Sequence, residues 1–170
     1  LSGLFVLTSA IAVISTVLAI TRANAVHALL YFVVSLFAAA FLFLLLGAPF
    51  VAVLEVIVYA GAIIVLFLFA VMLLNLGPQS VEKERRRNEP KRWIGPSALA
   101  LVLAGELVWV FLRGTGATAP GAGVGPKQVG IALFGPYVLA VEIASMLLLA
   151  GLVGAYHLGR PQSTSRREGR

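Results

Sequence analysis

Twenty-five consecutive residues, Phe50 to Leu74, contain one carboxyl and no basic side chain, and the rest are aliphatic, aromatic or small. A helix needs about 20 such residues to cross a bilayer. A segment in hydrocarbon must satisfy its own backbone hydrogen bonds, so this run can only be a helix. The rest of the chain is expected to be scaffold that places this helix in a membrane.

The chain as a whole makes the same demand. Of its 170 residues 60% are hydrophobic and 12% charged, and mean hydropathy is +0.99. A soluble domain of this size could not bury so much apolar surface. The expectation is an all-α integral membrane protein with five transmembrane helices and no separate soluble domain. The formal charge of +6 points to a membrane surface rather than nucleic acid, because the basic residues sit in short runs between apolar spans. With no cysteine, these residues hold no disulfide framework, thiolate metal site or cysteine-ligated iron–sulfur cluster. His27 and His157 lack partners at ligand spacing, so no metal site is expected. The sequence opens at Leu1 inside an apolar run without methionine, and a few residues are expected to precede it.

The spans are expected at about residues 2–20, 26–46, 50–74, 94–112 and 137–158, one transmembrane domain over 1–158 followed by a polar, basic tail over 159–170. The first run is too long for a signal peptide and leads into further spans rather than a cleavage site. Thr21-Arg22-Ala23-Asn24 forms a tight polar turn, Gly47-Ala48-Pro49 stops the second helix, and Asn75-Leu76-Gly77-Pro78 stops the third. The charged stretch Glu82 to Arg92 reads as a solvated loop. Arg113 to Pro136 is rich in Gly and Pro and is expected to be irregular, with Val129 to Phe134 too short to cross and lying at the interface.

Five spans place the termini on opposite sides. The turn at Arg22, the loop from Lys83 to Arg92 and the tail hold eleven of the 13 basic residues, and the other loops hold only Arg113 and Lys127. The positive-inside rule therefore puts the N-terminus outside and the C-terminus in the cytoplasm.

All seven acidic residues are Glu, and Glu55, Glu106 and Glu142 fall within spans. Each lies about five residues, or roughly 8 Å, from the outer end of its helix. Either they form one polar layer, or each snorkels outward or packs against unrelated helices. An ionisable group deep in a span costs about 3 kcal/mol on insertion scales, and each Leu, Ile, Phe or Val returns about 0.4. The third span returns roughly 7 kcal/mol by that count and the fourth only about 4. The fourth is thus expected to depend on neighbouring helices. In the fifth, Ala140, Ala144, Gly151 and Ala155 form a small-residue stripe suited to close helix approach, or simply reflect an alanine-rich chain; Glu142 and Ser145 lie opposite.

In the third span Tyr59 follows Glu55 by four residues, so an α-helix puts phenol and carboxyl on one face, continued by Ala62, Leu66 and Phe69. Gly61 faces nearly the other way, next to the β-branched run Ile63-Ile64-Val65. A glycine beside such a run suits a π-bulge. Forming or relaxing one turns everything beyond it by about 100°, one residue's rotation. Phe67 and Phe69 then exchange surfaces, which is the kind of two-state element a switch needs.

The run Leu54-Glu55-Val56-Ile57-Val58-Tyr59-Ala60-Gly61-Ala62-Ile63-Ile64-Val65-Leu66-Phe67-Leu68-Phe69, with Val71-Met72-Leu73-Leu74-Asn75, resembles the third helix of the subunit J family of bacterial NADH–quinone oxidoreductase. This enzyme is respiratory complex I; the family is also called subunit 10 and corresponds to mitochondrial NADH dehydrogenase subunit 6. Chain length, five spans, orientation and a basic third-to-fourth loop agree. The resemblance implies a membrane-arm subunit of a proton-pumping translocase in the bacterial inner membrane. Its implied partners are other membrane-arm subunits, including neighbouring small subunits and the quinone-site subunit. It also implies a π-bulge near Tyr59 to Val65 whose twisting links quinone chemistry to the proton path. Tyr59, Gly61 and Val65 are then hinge candidates, and Glu55 borders a polar axis. Glu106 and Glu142 fall outside the matched run and stay weaker intramembrane candidates without a family role.

The sequence has no Rossmann fingerprint, no flavin or cluster ligands and no evident quinone pocket, so no catalytic or cofactor-binding residue is expected. FMN, iron–sulfur clusters and quinone would belong to partner subunits. Two alternatives stay open. A homologous subunit of a membrane-bound hydrogenase or cation antiporter complex could share this helix. A stand-alone transporter is disfavoured, because there is no internal repeat and no pair of broken helices.

Overall fold

The computed structural model describes residues 2–74, 93–113 and 123–159. The stop Asn75-Leu76-Gly77-Pro78, the charged stretch Glu82 to Arg92 and the tail beyond Gly159 lie outside the described residues. Among those described, every regular element is a helix. They are α1 (Ser2–Thr21), α2 (Ala25–Leu45), α3, α4 (Ile94–Leu112), α5 (Pro126–Phe134) and α6 (Val138–Gly159). Helix α3 is composite, with α-helical Pro49–Leu54, a π-helix over Glu55–Ile63, and α-helical Ile64–Leu74. Five segments are long and apolar enough to cross a membrane: Ser2–Thr21, Ala25–Leu45, Pro49–Leu73, Ile94–Leu112 and Val138–Gly159. These agree with the expected spans to within a residue at each end.

Local chemistry sets the helix ends. Asn24 caps α2, its side-chain oxygen accepting from the backbone N–H groups of Val26 at 2.9 Å and His27 at 3.3 Å. At the far end Gly47 takes φ 79°, a left-handed conformation natural to glycine. The Ala48 N–H then reaches back to the Phe43 carbonyl at 2.9 Å, and the Gly47 N–H to Leu44 at 3.1 Å. This is a Schellman closure that satisfies carbonyls the helix would otherwise orphan. Pro49 follows at the first turn of α3, where its missing N–H costs nothing.

The chain divides into two compact units, Leu1–Gly125 and Pro126–Arg170. In the first, α1 and α2 form the most extensive pair, α3 packs on α2, and α4 packs on α1 and α2. Ile11, Val34, Ala38, Phe41, Leu103 and Val110 make the core. Ala38 is completely buried, as expected of a small residue that lets helices approach in a membrane. Helix α4 buries the face Pro96, Leu103, Glu106 and Val110. Its weak apolar sum is thus compensated by neighbours within its own chain. The remaining faces are apolar and exposed, normal for helices whose solvent is lipid.

The second unit corrects one expectation. Arg113 to Pro136 is not irregular throughout, because Pro126–Phe134 is a helix. Pro126 occupies its first position, a helix-start signal that the surrounding glycines obscured in composition. The Gly135-Pro136 corner closes it, with the Tyr137 N–H reaching the Ala132 carbonyl at 3.1 Å. A Cβ on Gly135 would lie 2.7 Å from the Ile131 carbonyl oxygen, so only glycine fits this corner.

Candidate functional site

The π-helix is the least ordinary element of the fold. It spans nine residues, Glu55–Ile63, and leaves that register at Ile64, whose N–H still reaches the Tyr59 carbonyl five residues back. It begins four residues before Tyr59, earlier than the resemblance placed a bulge, and ends before Val65, which belongs to the α-helical part. Gly61 sits within it. A Cβ there would lie 3.2 Å from the Val56 carbonyl oxygen, the acceptor five residues back that π geometry brings close. A β-carbon at this position would press on that carbonyl by a few tenths of an ångström, and glycine leaves it room.

No residue of the π-helix is buried within the chain. Tyr59 is 49% exposed, and Ala62, Leu66 and Phe69 continue an exposed face, as does Val65. Glu55 is half-buried, and among the described residues its carboxyl forms no hydrogen bond or ion pair. The fully buried residues of the helix are Ala52 before the π segment and Ile64 after it, while the π segment packs on α2 through half-buried residues such as Val56 and Ile63. The hinge candidates Tyr59, Gly61 and Val65 thus lie exposed on one helix with room for a neighbour, and Glu55 lies half-buried on the same helix.

The three membrane carboxyls have different surroundings. Glu106 is buried, and Thr8 Oγ1 lies 2.8 Å from its Oε2. Glu142 is exposed on α6, where Ser145 turns its hydroxyl to the Glu142 carbonyl at 2.7 Å. No group of three His, Asp or Glu side chains among the described residues is arranged to hold a metal.

Sequence reasoning passed over several polar groups at or near helix interfaces. Thr16 Oγ1 and Ser35 Oγ lie 2.7 Å apart across the α1–α2 interface. Ser15 is fully buried on the face that also carries Thr8 seven residues earlier, a spacing that α-periodicity could have flagged. His27 is buried and meets the Trp93 ring edge-on at 5.8 Å. A cleft of about 510 Å³ opens between α2, α3 and α4, with Phe41, Ala52, Val56, Leu103 and Leu107 among its lining. Its lining side chains are apolar and give a quinone head group no hydrogen-bond partner.

Such a chain is a polytopic membrane protein with several polar groups built into helix interfaces and one π-helical span. The chain belongs to the NADH-ubiquinone/plastoquinone oxidoreductase chain 6 family, whose model it matches over residues 15–158. It is 57% identical over 161 residues to the NADH-quinone oxidoreductase subunit J of Pseudomonas aeruginosa, covering 92% of this chain and 95% of that protein. It is 51% identical over 158 residues to the subunit J of Escherichia coli K12, covering 93% and 86%. The subunit J of Rhodobacter capsulatus is 33% identical over 156 residues, covering 89% and 77%.

Proposed function

We propose that this chain is a membrane-arm subunit of a proton-translocating NADH–quinone oxidoreductase, that it carries no redox centre, and that its third helix couples quinone reduction to proton movement. Family membership supports the first part. The π-helix over Glu55–Ile63 carries the last. A π-turn holds one more residue per hydrogen-bonded ring than an α-turn, so relaxing a turn to α geometry rotates the helix beyond it by about 100°. Gly61 lowers the barrier between the registers, and Tyr59 and Glu55 move with the change. The exposed α3 face would pass that rotation to neighbouring membrane-arm subunits, among them the quinone-site subunit. FMN, iron–sulfur clusters and quinone reside in partner chains. The chain lies in the bacterial inner membrane with its N-terminus outside, its five spans acting as one transmembrane domain.

Gly61→Val in the assembled complex tests the coupling role. The added branched side chain crowds the Val56 carbonyl and biases the register. NADH–quinone turnover should slow and proton pumping weaken while assembly persists. Normal turnover and pumping in an assembled variant would falsify the hinge.

A further inference from the structure

We propose that Glu106 is a proton-holding site of the membrane domain, kept as the neutral acid by a hydrogen bond that it donates to Thr8. This is independent of the π-helix and of any role for Glu55.

Thr8 Oγ1 lies 2.8 Å from the Leu4 carbonyl oxygen and 2.8 Å from Glu106 Oε2. A hydroxyl has one hydrogen to give. The Leu4 carbonyl can only accept, and threonines inside helices commonly back-bond to the carbonyl four residues earlier. Once the Thr8 hydrogen is committed there, the contact with Glu106 closes only if the carboxyl supplies its own hydrogen and the Thr8 oxygen accepts it. With an ionised carboxylate, two acceptors at the same distance would compete for one hydrogen.

Burial points the same way. Glu106 is 5% exposed and Thr8 0%, and Glu106 Oε1 has no hydrogen-bond partner among the described residues. On an ionised carboxylate that oxygen would carry unpaired charge in an apolar core, the costliest kind of buried group, whereas on a neutral acid it is a carbonyl. The elements packed against α4 bring no compensating charge. Helix α1 has no ionisable side chain, and the only histidine, lysine or arginine on α2 is His27, in its first turn. Arg113, just past the end of α4, stacks its guanidinium 3.9 Å from the Trp109 ring centroid. Among the described residues no cation pairs with Glu106.

Infrared spectra of the intact purified complex test the assignment. Wild type and Glu106→Gln should differ by one carboxylic-acid C=O band, present in the first and missing in the second. Thr8→Val should shift that band to higher frequency without removing it, because the acid loses its acceptor, and Thr8→Ser should leave it in place. A Glu106→Gln difference confined to the carboxylate stretches overturns the proposal. So does a Thr8→Val complex whose acid region matches wild type, and this comparison decides alone if the Gln complex does not assemble.

Discussion

Gly95 of α4 lies directly against the phenol of Tyr31 of α2, with a Cβ on Gly95 falling onto the Tyr31 hydroxyl. Tyr31 is 3% exposed, and the Arg22 guanidinium lies 5.3 Å from its ring centroid, so the ring has little freedom to yield. Gly95→Ala should therefore push α2 and α4 apart at this end and cost about 1–3 kcal/mol, the range for overpacked cores. The measurement is the thermal midpoint of the assembled complex. Removing the hydroxyl removes the worst overlap and leaves the ring carbon 3.2 Å from the added Cβ, so Tyr31→Phe should rescue Gly95→Ala in part, and the two effects should be non-additive. A Gly95→Ala complex as stable as wild type would show that the ring moves aside at no cost.

Glu55 presents a different question, because it is half-buried and makes no hydrogen bond within the described chain. Gln has the same shape and cannot ionise. Glu55→Gln should leave assembly intact and lower proton pumping per NADH oxidised, since an intramembrane ionisable residue is a proton-path candidate by default. Pumping is read from acidification in sealed vesicles alongside NADH oxidation. An unchanged ratio would make Glu55 structural and leave Tyr59 and Gly61 as the functional part of the helix.

The Thr16–Ser35 contact joins α1 to α2 in the most extensive helix pair of the fold. Thr16 Oγ1 also lies 2.8 Å and Ser35 Oγ 3.4 Å from the Ala12 carbonyl oxygen, so the two hydroxyls share one acceptor and either can donate to the other. Interhelical polar contacts in membranes contribute about 0.6 kcal/mol on average. A double-mutant cycle with Thr16→Val and Ser35→Ala should give a coupling of about that size, read as non-additive shifts in the thermal midpoint. Coupling indistinguishable from zero would reduce the contact to incidental packing, with cohesion resting on Ile11, Ala38 and Phe41.

The spans were legible in sequence because a bilayer demands long apolar runs, and neither tertiary packing nor propensity can move their ends far. Gly47-Ala48-Pro49 was legible as a stop for the same local reason. Gly61 announced an irregular helix, but the register from Glu55 to Ile63 depends on which carbonyl each N–H selects, and no spacing of side chains encodes that. Contacts between distant residues left no trace. Thr8 and Glu106 are separated by 98 positions, and neither belongs to a motif. His27 looked like a lone histidine because Trp93, which gives it an aromatic neighbour, arrives only with α4. The α5 helix was hidden by glycine content, although Pro126 marked its start.

The orientation rests on charge alone and is open to direct measurement. The chain has no cysteine, so single cysteines introduced into it report on their own sites. Ala23, in the turn between α1 and α2, and Val124, before α5, are both exposed, and replacing either leaves the distribution of basic residues untouched. With the N-terminus outside, the α1–α2 turn is cytoplasmic and the segment around Val124 is external. A membrane-impermeant maleimide applied to sealed right-side-out vesicles should label Val124→Cys directly and Ala23→Cys only after permeabilisation. The reverse pattern would invert the topology and move the outer-end glutamates to the cytoplasmic side. Gly47 offers an internal check on such labelling, because its carbonyl accepts the Val124 N–H at 2.9 Å and fixes the α2–α3 turn to the same side as Val124. A cysteine at exposed Leu46 should therefore label together with Val124→Cys and not with Ala23→Cys.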